Sequence, residues 1–598
     1  MKEQNNSQTA KKKTPSDIAV IGIGCYYPGA NTPLQLWENV LTRRQQFRSP
    51  PDVRFPLSEY YDTNPQTPDK TYGSRMAVID GFEFDWAKYR LPKSTVESTD
   101  IVQWLALDTA QKALVDAGYS RDTVPTEQTG VILGNSLTGE QTRAETMRLR
   151  WPFVRKSLLA AAEAKGLSPA TRETLSETME KLYKSVFAEI TEDSLAGGLS
   201  NTIAGRICNF LNLDGGGYTV DGACSSSLLA VADACAKLAS GDLNLALAGG
   251  VDVSLDTFEL IGFAKTAALT ASEMTVYDRK ASGFIPGEGC GFVVLKRLED
   301  AQWDDNYIYA VIHGWGISSD GKGGMTAPSK IGQSKALLRA YQKAGYTPQS
   351  LHFIEGHGTG TAVGDRTELE GIVLAVNDGK IAPKTIGMTS FKSIVGHTKA
   401  ASGIGGFIKA VIAVNQRILP PTAGCKEPNE VFDTSAQCLY PILTGEIRNS
   451  NETLKAGVFG AGFGGINCHV TISSGNAPAT HLKPALAEEA LLVSNQDTEL
   501  FVLSASSVEA LLERIQTVIE LAKGMSVAEM VDLAAKLAQE SQFSLPIRAA
   551  FIASNPPQLL ECLVKLEQLL NDQPLTPGQV VSLTHIYIYI YMQSKYKK

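Results

Sequence analysis

Cys224 lies in VDGACSSSLLAVADACAKL, where a turn of small residues runs into an amphipathic helix. A thiol at that place meets the positive end of the helix and unpaired backbone N–H groups, which favour the thiolate and hence a nucleophile. Two of the seven histidines follow glycine in strand-to-helix turns: His357 in EGHGTGTAVGDRTELE and His397 in TSFKSIVGHTKAASGIGGFIKA. Ligands of α/β sheets gather at such strand ends. His313, His352 and His469 sit inside apolar strands and read as core histidines, while His481 and His585 fall in a connector and a tail. Cys208, Cys235 and Cys290 read as buried structural thiols. A cysteine with two histidines also suits cleavage of amides or esters, so residue types alone leave a hydrolase open.

The elements that must position these residues begin at Ile18, where IAVIGIGCYYPGA is an apolar run closed by Gly and Pro. Buried-strand signals recur at 130–135, 244–252, 291–296, 308–313 and 385–389. Helical periodicity intervenes at Ser226–Ala239, Gln333–Ala344 and Gly403–Asn415. Strands alternating with helices predict a layered α/β fold over 17–474. Residues 137–200 interrupt it as a charged helical insertion whose Arg143, Arg148, Arg150, Arg155 and Lys156 suit either a solvated face or an acidic partner. A connector at 475–497 leads to a small α/β unit at 498–572. Residues 1–16 are polar and basic, as in a disordered leader. The tail at 573–598 carries an Ile-Tyr alternation with strand periodicity and no expected place in that unit; a frameshifted or truncated end accounts for it, or else an exposed edge strand.

With 598 residues, 43% hydrophobic and 20% charged, the chain has the composition of a mixed α/β protein. A formal charge of −8 disfavours nucleic acid as a partner. Nine scattered cysteines without C-x-x-C or Cys/His zinc spacing suit free thiols in the cytoplasm, and the absence of a long apolar run predicts no membrane association.

These blocks resemble the β-ketoacyl synthase family, with its cysteine in a G/T-A-C-S-S-S turn, then H-G-T-G-T, then K-S-x-x-G-H-T. Further matching segments are YDRKASGFIPGEGCGFVVLKRLEDA (277–301), SSDGKGGMTAPS (318–329) and GVFGAGFGGINCHV (457–470). The resemblance implies a thiolase-like five-layer α-β-α-β-α sandwich of two pseudo-symmetric halves, in a homodimer, although no internal repeat is visible in the sequence. It implies that Cys224 carries an acyl group and that His357 and His397 stabilise the enolate formed when a malonyl-type thioester loses CO2. Lys392 would organise the site electrostatically with Glu368 as a candidate partner, Thr359 and Thr361 would line a phosphopantetheine tunnel, and Phe463 would gate it. The N–H groups of Cys224 and Phe463 would form the oxyanion hole. No metal or redox cofactor is expected; substrates would arrive on the phosphopantetheine of an acyl carrier protein. Two departures stand out: Asn467-Cys468-His469 replaces Asn-Ala-His, and FGAGFGG at 459–465 is longer than, or shifted against, F-G-F-G-G. The retained cysteine excludes the Gln-bearing loaders and Cys-less chain-length factors.

The unit at 498–572, with LSASSVEALLERI and LPIRAAFIAS, resembles the linker joining ketosynthase to acyltransferase in modular type I polyketide synthases. Acyltransferase G-H-S-x-G and carrier G-x-D-S signals are absent, so both partners would come from other chains, or the rest has been lost. A non-extending acyl-transfer or docking module and an inactive fragment are the alternatives.

Overall fold

The computed structural model describes residues 17–572, apart from 138, 256, 323–326, 377–380, 449–450, 495 and 543, together with 580–583 and 586–590. The expected leader, His585 and the rest of the tail lie outside the described residues, as does part of the 318–329 segment. The apolar runs form strands where their periodicity places them. The first half contains β1 (Ile18–Tyr26), β2 (Thr129–Gly134), β3 (Gly217–Val220), β4 (Leu245–Asp252) and β5 (Gly289–Arg297). The second contains β6 (Ala310–Ser319), β7 (Phe353–Glu355), β8 (Ile386–Thr389), β10 (Leu439–Pro441), β12 (Lys455–Gly462) and β13 (Ile466–Ser474). β9 (Ile418–Leu419) and β11 (Glu446–Ile447) form a separate short ribbon.

The repeat hidden in the sequence is plain in the pairing. β1 is antiparallel to β5 and β5 to β4, while β4 is parallel to β2 and β2 to β3. In the second half β6 is antiparallel to β13 and β13 to β12, while β12 is parallel to β7 and β7 to β8. The halves join where Ile18–Val20 of β1 pairs with β6.

Helices Ser226–Ser240 and Ser402–Gln416 touch each other and strands of both halves, so they form the middle layer. Every residue of Ser402–Gln416 is buried. Its glycines are poor helix formers, yet a Cβ on Gly403 would lie 2.8 Å from the Leu228 backbone nitrogen, and one on Gly405 would lie 2.3 Å from the Phe391 ring. Gly403 permits the close approach of the two central helices, and Gly405 makes room for the Phe391 ring. Helix Ile101–Asp116 covers the outer face of β1 and β5, and helix Lys330–Ala344 that of β6 and β13. The result is the α-β-α-β-α thiolase-like sandwich.

The insertion forms helices Glu140–Leu149, Trp151–Ala164, Pro169–Ser185 and Glu192–Gly198. Some of its cations serve internal stitching: Arg148 donates to the Phe187 carbonyl (3.1 Å), and Arg155 donates to Ser176 (3.1 Å) and Glu173 (3.2 Å). The connector is less of a spacer than its composition suggests, because Leu482 and Leu492 pack into the main core.

The second unit has its own core, centred on Phe501 and Phe551 with rings stacked 5.2 Å apart. It contains β14 (Glu499–Ala505), helices Val508–Ala522 and Val527–Glu540, β15 (Ile547–Ala553) and helix Pro556–Asp572. Arg48 ties it to the main body through Glu529 (2.6 Å), and the Gly524 carbonyl accepts from the Ser49 N–H. The tail finds a place here, against expectation. β17 (Ile586–Ile590) pairs antiparallel with β15, and β16 (Val580–Leu583) pairs with β17. One side of β15 is otherwise unpaired, and a period-two segment supplies the ladder it lacks.

Candidate active site

Cys224 follows β3 in a 3₁₀ turn, Ala223–Ser225, that feeds helix Ser226–Ser240. Ala223 is held at φ +50°, in the left-handed region that a residue with a Cβ enters only when its surroundings compel it. The polar residues around it do the compelling. Asp221 accepts from the Ala223 N–H (2.9 Å), and Ser226 Oγ accepts from the Gly222 N–H (2.9 Å). Ser225 Oγ donates to the Gly222 carbonyl (2.8 Å), and Ser227 Oγ accepts from the Ile404 N–H (2.9 Å), tying the turn to the other central helix.

The resting thiol departs from the expected thiolate. Burial pushes Cys224 up to about 11, with Asp252 and Glu259 adding to the rise. Lys392 and the Phe463 backbone N–H, which is directed at the sulfur, oppose it. Desolvation therefore outweighs the favourable turn, and Cys224 rests as a thiol at neutral pH.

Both predicted histidines come to the same site: Lys392, whose charge acts on Cys224, acts on each of them as well. His357 follows β7; its N–H donates to Glu368 (2.6 Å), and its Nδ1 accepts from the Ala461 N–H (3.3 Å). His397 follows β8; its N–H donates to the Ile285 carbonyl (2.8 Å), its carbonyl accepts from the Gly287 N–H (3.0 Å), and its Nδ1 accepts from the Lys399 N–H (3.1 Å). The two rings lie 5.6 Å apart, nearly perpendicular. Burial, followed by the charge of Lys392, holds each imidazole well below its ordinary value. A neutral imidazole whose Nδ1 accepts carries its proton on Nε2. The pair thus presents two uncharged N–H donors.

Lys392 is buried; burial lowers its own value, while Glu355 and then Glu368 pull it back up. Glu368 does more than balance that charge. It accepts from the N–H groups of His357 and Gly358 (2.8 Å) and from the Tyr277 hydroxyl (3.2 Å), and so fixes the turn that carries His357. Asp365, in the same helix, accepts from the N–H groups of Thr359 and Gly360 (both 3.0 Å) and of Tyr277 (2.8 Å). Thr359 and Thr361 share a hydroxyl hydrogen bond (2.9 Å) just before this helix.

Phe463 caps the β12–β13 hairpin, 44% exposed, with Gly464 and Gly465 at φ +91° and +81°. The strand register runs unbroken from Lys455↔Ser473 to Gly462↔Ile466. The paired part of FGAGFGG therefore carries no bulge, and Ala461 uses its N–H to hold His357. The Phe463 ring lies 6.3 Å from Phe263, which meets Phe284 (5.2 Å), which meets His397 (4.9 Å).

His313, His352 and His469 are structural groups, bonded to Ser473 (2.8 Å), Glu452 (2.7 Å) and Tyr341 (2.9 Å), with His469 Nδ1 buried without a hydrogen-bond partner. Cys235 and Cys290 are buried as expected, whereas Cys208 is only partly so. Sequence reasoning missed Asp252, Glu259 and Lys399, buried together beside the site. Lys399 follows Glu259 by 140 residues, and the three share no motif.

Two family models match in succession: Beta-ketoacyl synthase, N-terminal domain, over residues 15–301, and Beta-ketoacyl synthase, C-terminal domain, over 309–426. Among curated proteins, a polyunsaturated fatty acid synthase component from Thraustochytrium is 32% identical over 85% of this chain and 18% of its own length. Polyketide synthase PksL of Bacillus subtilis is 29% identical over 92% of this chain and 11% of its own. The chain thus spans less than a fifth of either relative. Among solved structures, the ketosynthase from module 6 of the Bacillus subtilis bacillaene synthase has a TM-score of 0.63 at 27% identity, covering 96% of this chain and 87% of that one. The Streptomyces albus oxazolomycin ketosynthase domain has a TM-score of 0.67 at 25% identity, covering 92% and 88%. With both halves of the enzyme matched in order and the same architecture in solved ketosynthases, the chain belongs to the β-ketoacyl synthase family.

Proposed function

We propose that the chain catalyses decarboxylative Claisen condensation, joining an acyl group held on Cys224 to a malonyl-type extender on an acyl carrier protein. The observation that carries this reading is the pair of imidazoles 5.6 Å apart whose Nδ1 atoms each accept a backbone N–H, which leaves Nε2–H to donate. In the loading step Cys224 sulfur attacks the acyl thioester, the oxyanion accepts from the N–H groups of Cys224 and Phe463, and the thiol proton ends on the released carrier thiol. In the second step the extender loses CO2 and its electron pair becomes an enolate whose oxygen accepts from His357 and His397. The enolate carbon attacks the Cys224 thioester; a C–C bond forms, the C–S bond breaks, and the released Cys224 thiolate takes a proton from water. Uncharged donors stabilise the enolate without surrendering a proton to it, which preserves the carbanion for attack.

Lys392, Glu368 and Asp365 hold the charges and turns in place, Thr359 and Thr361 line the phosphopantetheine path, and Phe463 gates it. No metal or redox cofactor enters these steps. The polyketide synthase relatives and the unit at 498–572 support a modular type I context, with an acyl carrier protein as partner. β3 lies at the sheet edge, where a second copy would extend it into a homodimer. Incubation with acyl- and malonyl-loaded carriers tests the reading: CO2 and a β-ketoacyl carrier are expected, and acylation of Cys224 without either would overturn it.

A further inference from the structure

Lys399 stands two residues after His397 at φ +48°, a left-handed conformation that its side chain disfavours. Its ammonium is buried and bonded to Asp252 (2.7 Å), Glu259 (2.6 Å) and Ser254 (3.2 Å). Asp252 ends β4 and Glu259 sits in helix Thr257–Lys265, so one cation joins two elements to the histidine turn. Asp252 also accepts from the Ala400 N–H (3.3 Å), gripping the next residue. The product of this clamp is one contact: the Lys399 N–H on His397 Nδ1. Ser402 Oγ stands at 3.4 Å from the same nitrogen and is too long to fix the ring by itself.

We propose that Lys399, clamped by Asp252 and Glu259, is a positioning residue for condensation: it holds its N–H against His397 Nδ1 and thereby keeps Nε2–H turned toward the enolate oxygen. The clamp acts through the turn, so it serves decarboxylation and condensation more than acyl loading. This rests on the reading that His397 donates to the enolate. Two buried carboxylates left without their cation would strain the fold, so the test needs a charge-balanced variant as well as the single one.

Lys399→Gln, Lys399→Arg, the triple variant Lys399→Met with Asp252→Asn and Glu259→Gln, and His397→Ala are compared with the parent chain. Each is assayed for Cys224 acylation by intact mass and for kcat and KM of CO2 release from a malonyl carrier. Expected for the glutamine and triple variants is a kcat lowered about 10- to 100-fold with KM nearly unchanged and acylation not slowed to match, since small misplacements of a reacting group cost this much. Lys399→Arg, which keeps the cation, should recover part of the loss. A folded triple variant with parental kcat overturns the positioning role, as does a loss that falls equally on acylation. If His397→Ala itself leaves CO2 release intact, the failure lies in the assignment of His397 rather than in the clamp.

Discussion

Lys392→Met removes the main positive charge acting on Cys224 while keeping the length of a buried side chain. With the thiol at about 11, only about one molecule in a thousand is thiolate at pH 8. A nearby buried cation lowers a thiol by on the order of one unit or more, so its loss raises Cys224 by that amount. Each unit cuts the thiolate fraction tenfold, but the more basic thiolate is about threefold more nucleophilic, leaving alkylation about threefold slower per unit. The assay is the rate of Cys224 carbamidomethylation by iodoacetamide across pH 7–10, followed by intact mass. In the parent the rate should climb steadily with pH, without a plateau near neutrality. In the variant the same climb should lie at higher pH. The histidines move the same way: losing the cation makes them easier to protonate, so their values rise as well. Faster alkylation of Lys392→Met at pH 8, or a neutral-pH plateau in the parent that signals a thiolate–imidazolium pair, would refute this electrostatic reasoning.

Other consequences can be measured separately. His397→Ala should leave acyl loading of Cys224 largely intact and lower condensation by about 10²- to 10⁴-fold, read by product formation from preloaded protein. Gly464→Ala adds a Cβ with open space around it but at φ +91°, so it disturbs only the backbone that aims the Phe463 N–H; acylation should slow, by up to about 100-fold, while iodoacetamide alkylation, which loses only that N–H's hold on the thiolate, slows far less. Phe551→Ala removes half of the stacked pair in the second unit and should cost about 3–5 kcal/mol there, seen in urea as an early transition that spares the separate ketosynthase core.

Much of this was legible in the sequence because its signals are local. β1 begins at Ile18 where the apolar run begins, and Cys224, His357 and His397 each sit in a turn whose glycines and small residues advertise it. What escaped was either distributed or a matter of balance. The two-fold repeat is carried by strand order, not by repeated residues, so it emerges only when β1-β5-β4-β2-β3 is laid beside β6-β13-β12-β7-β8. The Asp252–Glu259–Lys399 cluster is assembled by three separate elements. The thiolate expectation failed because a helix start is visible in sequence while the depth of burial that opposes it is not. The Ile-Tyr alternation showed its period but not its partner, β15, whose open side lies more than thirty residues earlier.

Condensation on Cys224 is tested most directly by a single-turnover experiment: protein acylated with a mass-labelled acyl group, then mixed with malonyl-loaded carrier, with intact masses taken of both. The proposed chemistry predicts that the label leaves Cys224 and appears on the carrier as the β-ketoacyl product, with one CO2 released per turnover. Label that stays on Cys224, or that reaches the carrier as the unextended acyl group without CO2, would contradict it.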